Sequence, residues 1–155
     1  MKTLVIGLGS PLLCDDSVGL KVAREVRRHV AVGGSVEVEE DVRGGLQLME
    51  RLAGYDRAII VDAILTGAAP GTIHQLTPDD IPTQRSASQH DVNLPTALEL
   101  GRQLGVHLPQ SKDILLVGIE ADDIMTFSEE CTPPVAAAIP KAVDIVLNAL
   151  REQGA

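Results

Sequence analysis

Residues 3 to 19 read TLVIGLGSPLLCDDSVG. Residues 3–6 form a compact apolar, largely β-branched run ended by Gly7, the pattern of a buried strand. From Ser17 to Val30 the apolar positions Val18, Leu20, Val22, Ala23, Val26 and Val30 fall on one helical face, with Asp16 or Ser17 as cap. A strand, a Gly-x-Gly turn and a helix open an α/β fold. The turn is unusual, because two adjacent aspartates, Asp15 and Asp16, stand where a phosphate site would want neutral backbone.

Working outward, residues 36–42 alternate as VEVEEDV, which suits a strand with one wet face. Residues 44–52 read as a short helix, and RAIIVDAI at 57–64 is the strongest strand signal in the chain. A turn, TGAAPG, leads to a short alternating strand at 72–76. Residues 77–90 are loop, rich in Pro, Ser, Thr and Gln. A helix follows at 94–104, with Asn93 or Asp91 as cap and Pro95 in its first turn. Residues 114–119 are another buried strand, 120–132 are polar and irregular, and 133–150 are the closing helix. Strands alternating with helices predict one three-layer α/β domain over residues 1–155. Its sheet is mostly parallel and twisted, of about five strands, with helices on both faces. The short fourth strand is expected to be antiparallel and at an edge.

Bulk properties narrow the function. Apolar residues make up 45% of the 155, enough for a core, but Tyr55 and Phe127 are the only aromatics, so that core is aliphatic. Net charge is −9 and no Lys/Arg run exists. That argues against nucleic acid and anionic membranes as partners. Cys14 and Cys131 lie far apart and make no Cys-x-x-Cys motif, so no disulfide framework is expected. The N-terminus lacks a signal-peptide shape and no apolar run reaches spanning length, so a soluble, cytoplasmic setting is the expectation, with a monomer assumed.

Ligands of open α/β sheets bind outside the carboxyl ends of the strands. The polar residues predicted there are Asp15 and Asp16 after the first strand and Asp62 at the end of the third. His90 stands before the third helix, in SASQHDVNL, and Glu120 follows the fifth strand. Asp62 stands out, because a carboxylate ending an apolar strand is costly unless paired or bound to a cation. Asp15 is expected to cap the helix while Asp16 enters the cleft, or the reverse. Two carboxylates and an imidazole suit zinc, nickel, manganese or iron, with positions left for water or substrate. The two cysteines read as small buried hydrophobes.

A dinucleotide site does not fit: the third glycine is missing, Pro11 removes a donor, and the acids repel phosphate. A phosphoacceptor receiver does not fit either, since no Lys follows the last strand and the acids come several residues late.

The chain resembles the nickel–iron hydrogenase maturation endopeptidases over nearly its whole length. The resemblance rests on VIGLGSPLLCDDSVGLKVA, on YDRAIIVDAI followed by APGTIHQL, on SASQHDVNLPTALEL, and on LLVGIEADDI leading to CTPPVAAAIPKAV. It implies a peptidase that removes a short C-terminal peptide from the large-subunit precursor of a hydrogenase after nickel insertion. It also implies that Asp16, Asp62 and His90 are the metal-contacting and catalytic trio. Nickel would come with the substrate, and zinc or cadmium could occupy the same ligands. The first-loop acid of the family is often Glu, and here it is the shorter Asp16. The stretch after the second strand, DVRGGLQL, is thought to face the substrate, which makes Asp41 and Arg43 candidate substrate-binding residues. A non-cleaving, nickel-sensing chaperone of the precursor is the alternative reading.

Overall fold

The computed structural model describes residues 1–31, 33–42, 45–80 and 94–153. In chain order the elements are β1 (Thr3–Leu8), α1 (Val18–Arg27), β2 (Val36–Asp41), α2 (Gly45–Leu52), β3 (Arg57–Ile64), β4 (Ile73–Leu76), α3 (Leu94–Gln103), β5 (Ile114–Glu120) and α4 (Pro133–Gln153). The five strands form one sheet in the order β2-β1-β3-β5-β4. All neighbours are parallel except β4, which runs antiparallel to β5 at the edge, as its short connection to β3 predicts. β5 comes between β3 and β4, so these two consecutive strands do not form a hairpin.

Strand alternation sorts the apolar side chains into two layers. Val5, Ile59, Val61 and Val117 face α1 and α4, packing with Val18, Val22, Val135, Ala142 and Val146. Leu4, Ile6, Ala58 and Ile60 face α2 and α3, packing with Leu48, Leu52, Ala97 and Leu98. Both cores are aliphatic apart from Tyr55, whose hydroxyl donates to the Glu37 carboxylate of β2. Burial and this carboxylate together push the Tyr55 hydroxyl up to about 12. α4 is long and apolar enough to cross a membrane by length and composition. It packs instead as a core helix, with Val135, Ala138, Ala142, Val146 and Ala149 in the α1–α4 core at spacings of three and four. The buried Arg57 at the start of β3 ties into it, donating to the Ala149 carbonyl at 2.9 Å.

Helix α1 ends at Arg27, short of the apolar stripe that reaches Val30. Arg28, His29 and Val30 donate instead to carbonyls three residues back, a tightened last turn that still leaves Val30 packed on the core. The start of α1 lies almost on the sheet. A Cβ on Gly19 would come within 2.4 Å of the Val61 carbonyl oxygen and 2.5 Å of that of Leu8. Only glycine permits this approach. It hangs the turn that carries the paired aspartates directly over the ends of β1 and β3.

Candidate functional site

Because β2, β1, β3 and β5 are parallel, their carboxyl ends share one rim of the sheet. Residues Cys14–Ser17 form a short 3-10 turn on it. The turn is pinned from below at Gly9, whose φ of +146° suits glycine and where a Cβ would lie 1.9 Å from the Asp16 carbonyl oxygen. Ser10 N–H donates to that carbonyl at 3.3 Å and to the Asp16 carboxylate at 3.1 Å. Asp16 is thus held at the mouth of β1, 8% exposed. Neither aspartate caps α1: Ser17 occupies the cap position and makes no side-chain capping bond.

Asp15 turns the other way and is fully buried. Its carboxylate accepts hydrogen bonds from the Asp122 and Asp123 N–H groups, both at 2.9 Å, from Thr132 N–H at 2.7 Å and from the Thr132 hydroxyl at 2.8 Å. Asp15 N–H in turn donates to the Asp123 carbonyl at 2.9 Å. The carboxylate also sits at the start of α4, where negative charge is favoured. Asp15 is therefore a buried clamp joining the loop after β1 to the loop after β5. Adjacent acids signalled more than one task, but not which acid took which, because the N–H and hydroxyl donors to the Asp15 carboxylate lie more than a hundred residues away.

Asp62 lies near the carboxyl end of β3, opposite Gly118 of β5 and, one residue beyond the Gly7–Val61 pair, level with the end of β1. It is half-buried and continues the Ala58–Ile60 row toward the α2–α3 layer. One of its oxygens accepts from Ala63 N–H at 2.8 Å. The structure thus brings Asp16 and Asp62 to neighbouring strand ends. His90 lies outside the described residues, four positions before α3 begins. Among the described residues no cluster of three or more His, Cys, Asp or Glu has metal-holding geometry.

The remaining candidates divide clearly. Asp41 ends β2 on the same rim, with Arg51 Nε at 3.5 Å from its carboxylate, and Arg43 lies outside the described residues. Glu120 is 1% exposed and its carboxylate is occupied by Thr66 N–H at 2.8 Å, the Thr66 hydroxyl at 2.5 Å and His74 Nε2 at 3.3 Å. Burial pushes its carboxyl upward, but the Thr66, His74 and Gly67 hydrogen bonds outweigh that and hold it below the usual range. Glu120 is a structural brace between β5, β4 and the turn after β3. Burial, then the charges of Asp15 and Asp123, push the Cys14 thiol up, which keeps it protonated and a poor nucleophile. Cys14 and Cys131 are both free thiols, as expected from their spacing.

Known proteins similar to this chain in sequence and fold fall in hydrogenase maturation. The family described as hydrogenase maturation protease (HycI) matches residues 20–149. The hydrogenase 2 maturation protease of Escherichia coli K12 is 32% identical, over 99% of this chain and 93% of its own length. A hydrogenase expression/formation protein, HupD, of Bradyrhizobium diazoefficiens is 30% identical, over 99% of this chain and 80% of its own. Among solved structures, the hydrogenase maturating endopeptidase HybD from E. coli superposes with a TM-score of 0.81 at 31% identity, covering 99% of this chain and 94% of that one. The [NiFe] hydrogenase maturation protease HybD from Thermococcus kodakarensis gives 0.71 at 27% identity, covering 96% and 99%. With the fold and these likenesses in agreement, the chain belongs to the hydrogenase maturation proteases.

Proposed function

We propose that this endopeptidase removes a C-terminal peptide from the nickel-loaded precursor of a [NiFe]-hydrogenase large subunit, and that Asp16, Asp62 and His90 carry the reaction. The observation that carries the assignment is the placement of Asp16 and Asp62 at the carboxyl ends of adjacent parallel strands, in a chain of this family. Open α/β sheets bind their ligands at that rim.

Nickel is part of the substrate in this reading. Two carboxylates and an imidazole are a hard-to-borderline donor set that suits such an ion, and zinc or cadmium would compete for it. When bound, the ion supplies Lewis acidity to the scissile carbonyl or the attacking water. The chain does the rest. Asp16 is oriented by Ser10 N–H and Asp62 by Ala63 N–H, so each carboxylate presents a fixed direction to the rim. One of them accepts the proton of the attacking water, and His90 returns a proton to the leaving amine. Holding the precursor's nickel and its scissile bond against one rigid rim supplies the proximity term. Asp41, the last residue of β2, and Arg43, two positions later in the sequence, contact the substrate in this reading. Two free thiols fit a reducing cytoplasm as the place of reaction.

The experiment is the intact mass of the large-subunit precursor, incubated with this protein with and without loaded nickel. Loss of a C-terminal peptide that depends on nickel is the expected result. Binding without any loss would make the protein a chaperone, and loss without nickel would remove the metal from recognition.

A further inference from the structure

The chain holds one phenylalanine, and the fold leaves it in water. Phe127 is 84% exposed, Met125 77% and Leu12 53%. Leu12 and Phe127 lie side by side, and Met125 is two residues before Phe127 on the same loop. Leu13 pairs with Ser128 in a parallel bridge, with Ser128 N–H donating to the Leu12 carbonyl and Cys14 N–H to that of Ser128, each at 3.0 Å. A parallel register sets Leu12 level with Phe127. The support beneath them is stiff. Asp123 accepts from Met125 N–H at 2.9 Å, Thr126 N–H at 3.0 Å and the Thr126 hydroxyl at 2.5 Å, while its own N–H is held by the buried Asp15. Large apolar side chains displayed together on a rigid loop are the signature of a binding surface.

Charge and position select the occupant. Residues 120–132 contain five acids and no Lys or Arg, and Asp122, Glu129 and Glu130 stand exposed around the apolar crest. Lys21 reaches this loop, but its ammonium is turned to the Glu129 carbonyl at 2.5 Å. The crest is continuous with the catalytic rim, since Leu12 is four residues before Asp16 on the same loop.

We infer that Leu12, Met125 and Phe127, framed by Asp122, Glu129 and Glu130, dock the precursor through a segment that carries an apolar anchor flanked by basic side chains. The inference rests on the proposed function for the identity of the partner. The apolar centre supplies affinity and the acidic frame steers and orients the approach.

The test compares the full-length protein with the Met125→Ser/Phe127→Ser double variant and with Glu129→Lys/Glu130→Lys. Cleavage of nickel-loaded precursor is followed by intact mass over a range of precursor concentrations, direct binding by calorimetry, and self-association by sedimentation. The double variant is expected to raise KM and Kd about tenfold or more, with kcat within about twofold and thermal stability unchanged. The charge reversal is expected to raise KM less and to flatten its salt dependence. An unchanged KM and Kd, or a fall confined to kcat, would overturn the inference. A wild-type dimer that the double variant dissolves would also overturn it, assigning the crest to a second copy of this chain. If the wild-type protein binds the precursor without cutting it, the cleavage reading fails alone, and a tenfold loss of binding in the variant still supports the docking surface.

Discussion

Asp15 and Asp16 are neighbours in sequence and opposites in the fold. Asp15 is fully buried, and its carboxylate is taken up by N–H and hydroxyl donors from the loop after β5 and the start of α4. Asp16 is 8% exposed at the rim, and its carboxylate accepts from Ser10 N–H of its own loop. One aspartate spends its hydrogen-bonding capacity on joining two loops, and the other is aimed by them. The same division recurs on the strands, where Glu120 of β5 is enclosed by Thr66 and His74 and Asp62 of β3 faces the rim half-buried. Carboxylates enclosed by donors from distant parts of the chain hold the rim in shape, and the proposed reaction is carried by Asp16 and Asp62, which accept from the nearby Ser10 and Ala63 N–H groups.

The largest expected effect breaks this pairing on the chemical side. Asp16→Ala and Asp62→Ala are each expected to lower the cleavage rate at least about a hundredfold, the usual cost of a lost acid–base group. Their urea midpoints should stay close to wild type. Full processing by either variant would remove that residue from the site. Next comes the scaffold side. Asp15→Ala leaves four part-buried donors of the 122–132 loop without their acceptor. A loss of about 3 kcal/mol or more is expected, read from the urea midpoint. A variant as stable as wild type would mean that the two aspartates do not divide the work.

The smallest effect concerns Glu120 and is visible only in acid. Its folded carboxyl lies below the ordinary 4.5, so the unfolded chain binds more protons in that interval and unfolding free energy rises with pH. The stabilisation is complete above the ordinary value and is lost as pH falls through the folded one. Glu120→Gln should therefore flatten the acid limb of a stability–pH curve, with little change in its slope above pH 6. An unchanged acid limb would assign that slope to other carboxylates.

Most of the architecture was legible because local pattern and tertiary fate agree. RAIIVDAI is apolar on both faces and became the central strand β3, and VEVEEDV alternates and became the edge strand β2. The rim location of Asp16 and Asp62 followed from the parallel topology alone. The division of labour between Asp15 and Asp16 was not legible, because it is set by backbone donors from the far end of the chain. Glu120 was placed correctly at the rim, but its enclosure depends on Thr66 and His74, which approach from a turn and an edge strand with no sequence periodicity tying them to it. Cys14 shows the same limit. Its left-handed backbone, φ 47°, arises from the turn it opens and not from any preference of cysteine.

The insertion of β5 between β3 and β4 has a consequence for biosynthesis. β3 and β4 emerge from the ribosome in succession, and β3 finds β1 already made, yet β4 has no sheet neighbour until residues 114–120 arrive to lie between the two. The donors that enclose Asp15 come later still, in residues 122–132. Closure of the sheet therefore waits for long-range contacts, which favours slow, late folding. The rim is assembled only when synthesis is nearly complete, so a nascent or truncated chain has no organised cleft in which to cut a peptide bond.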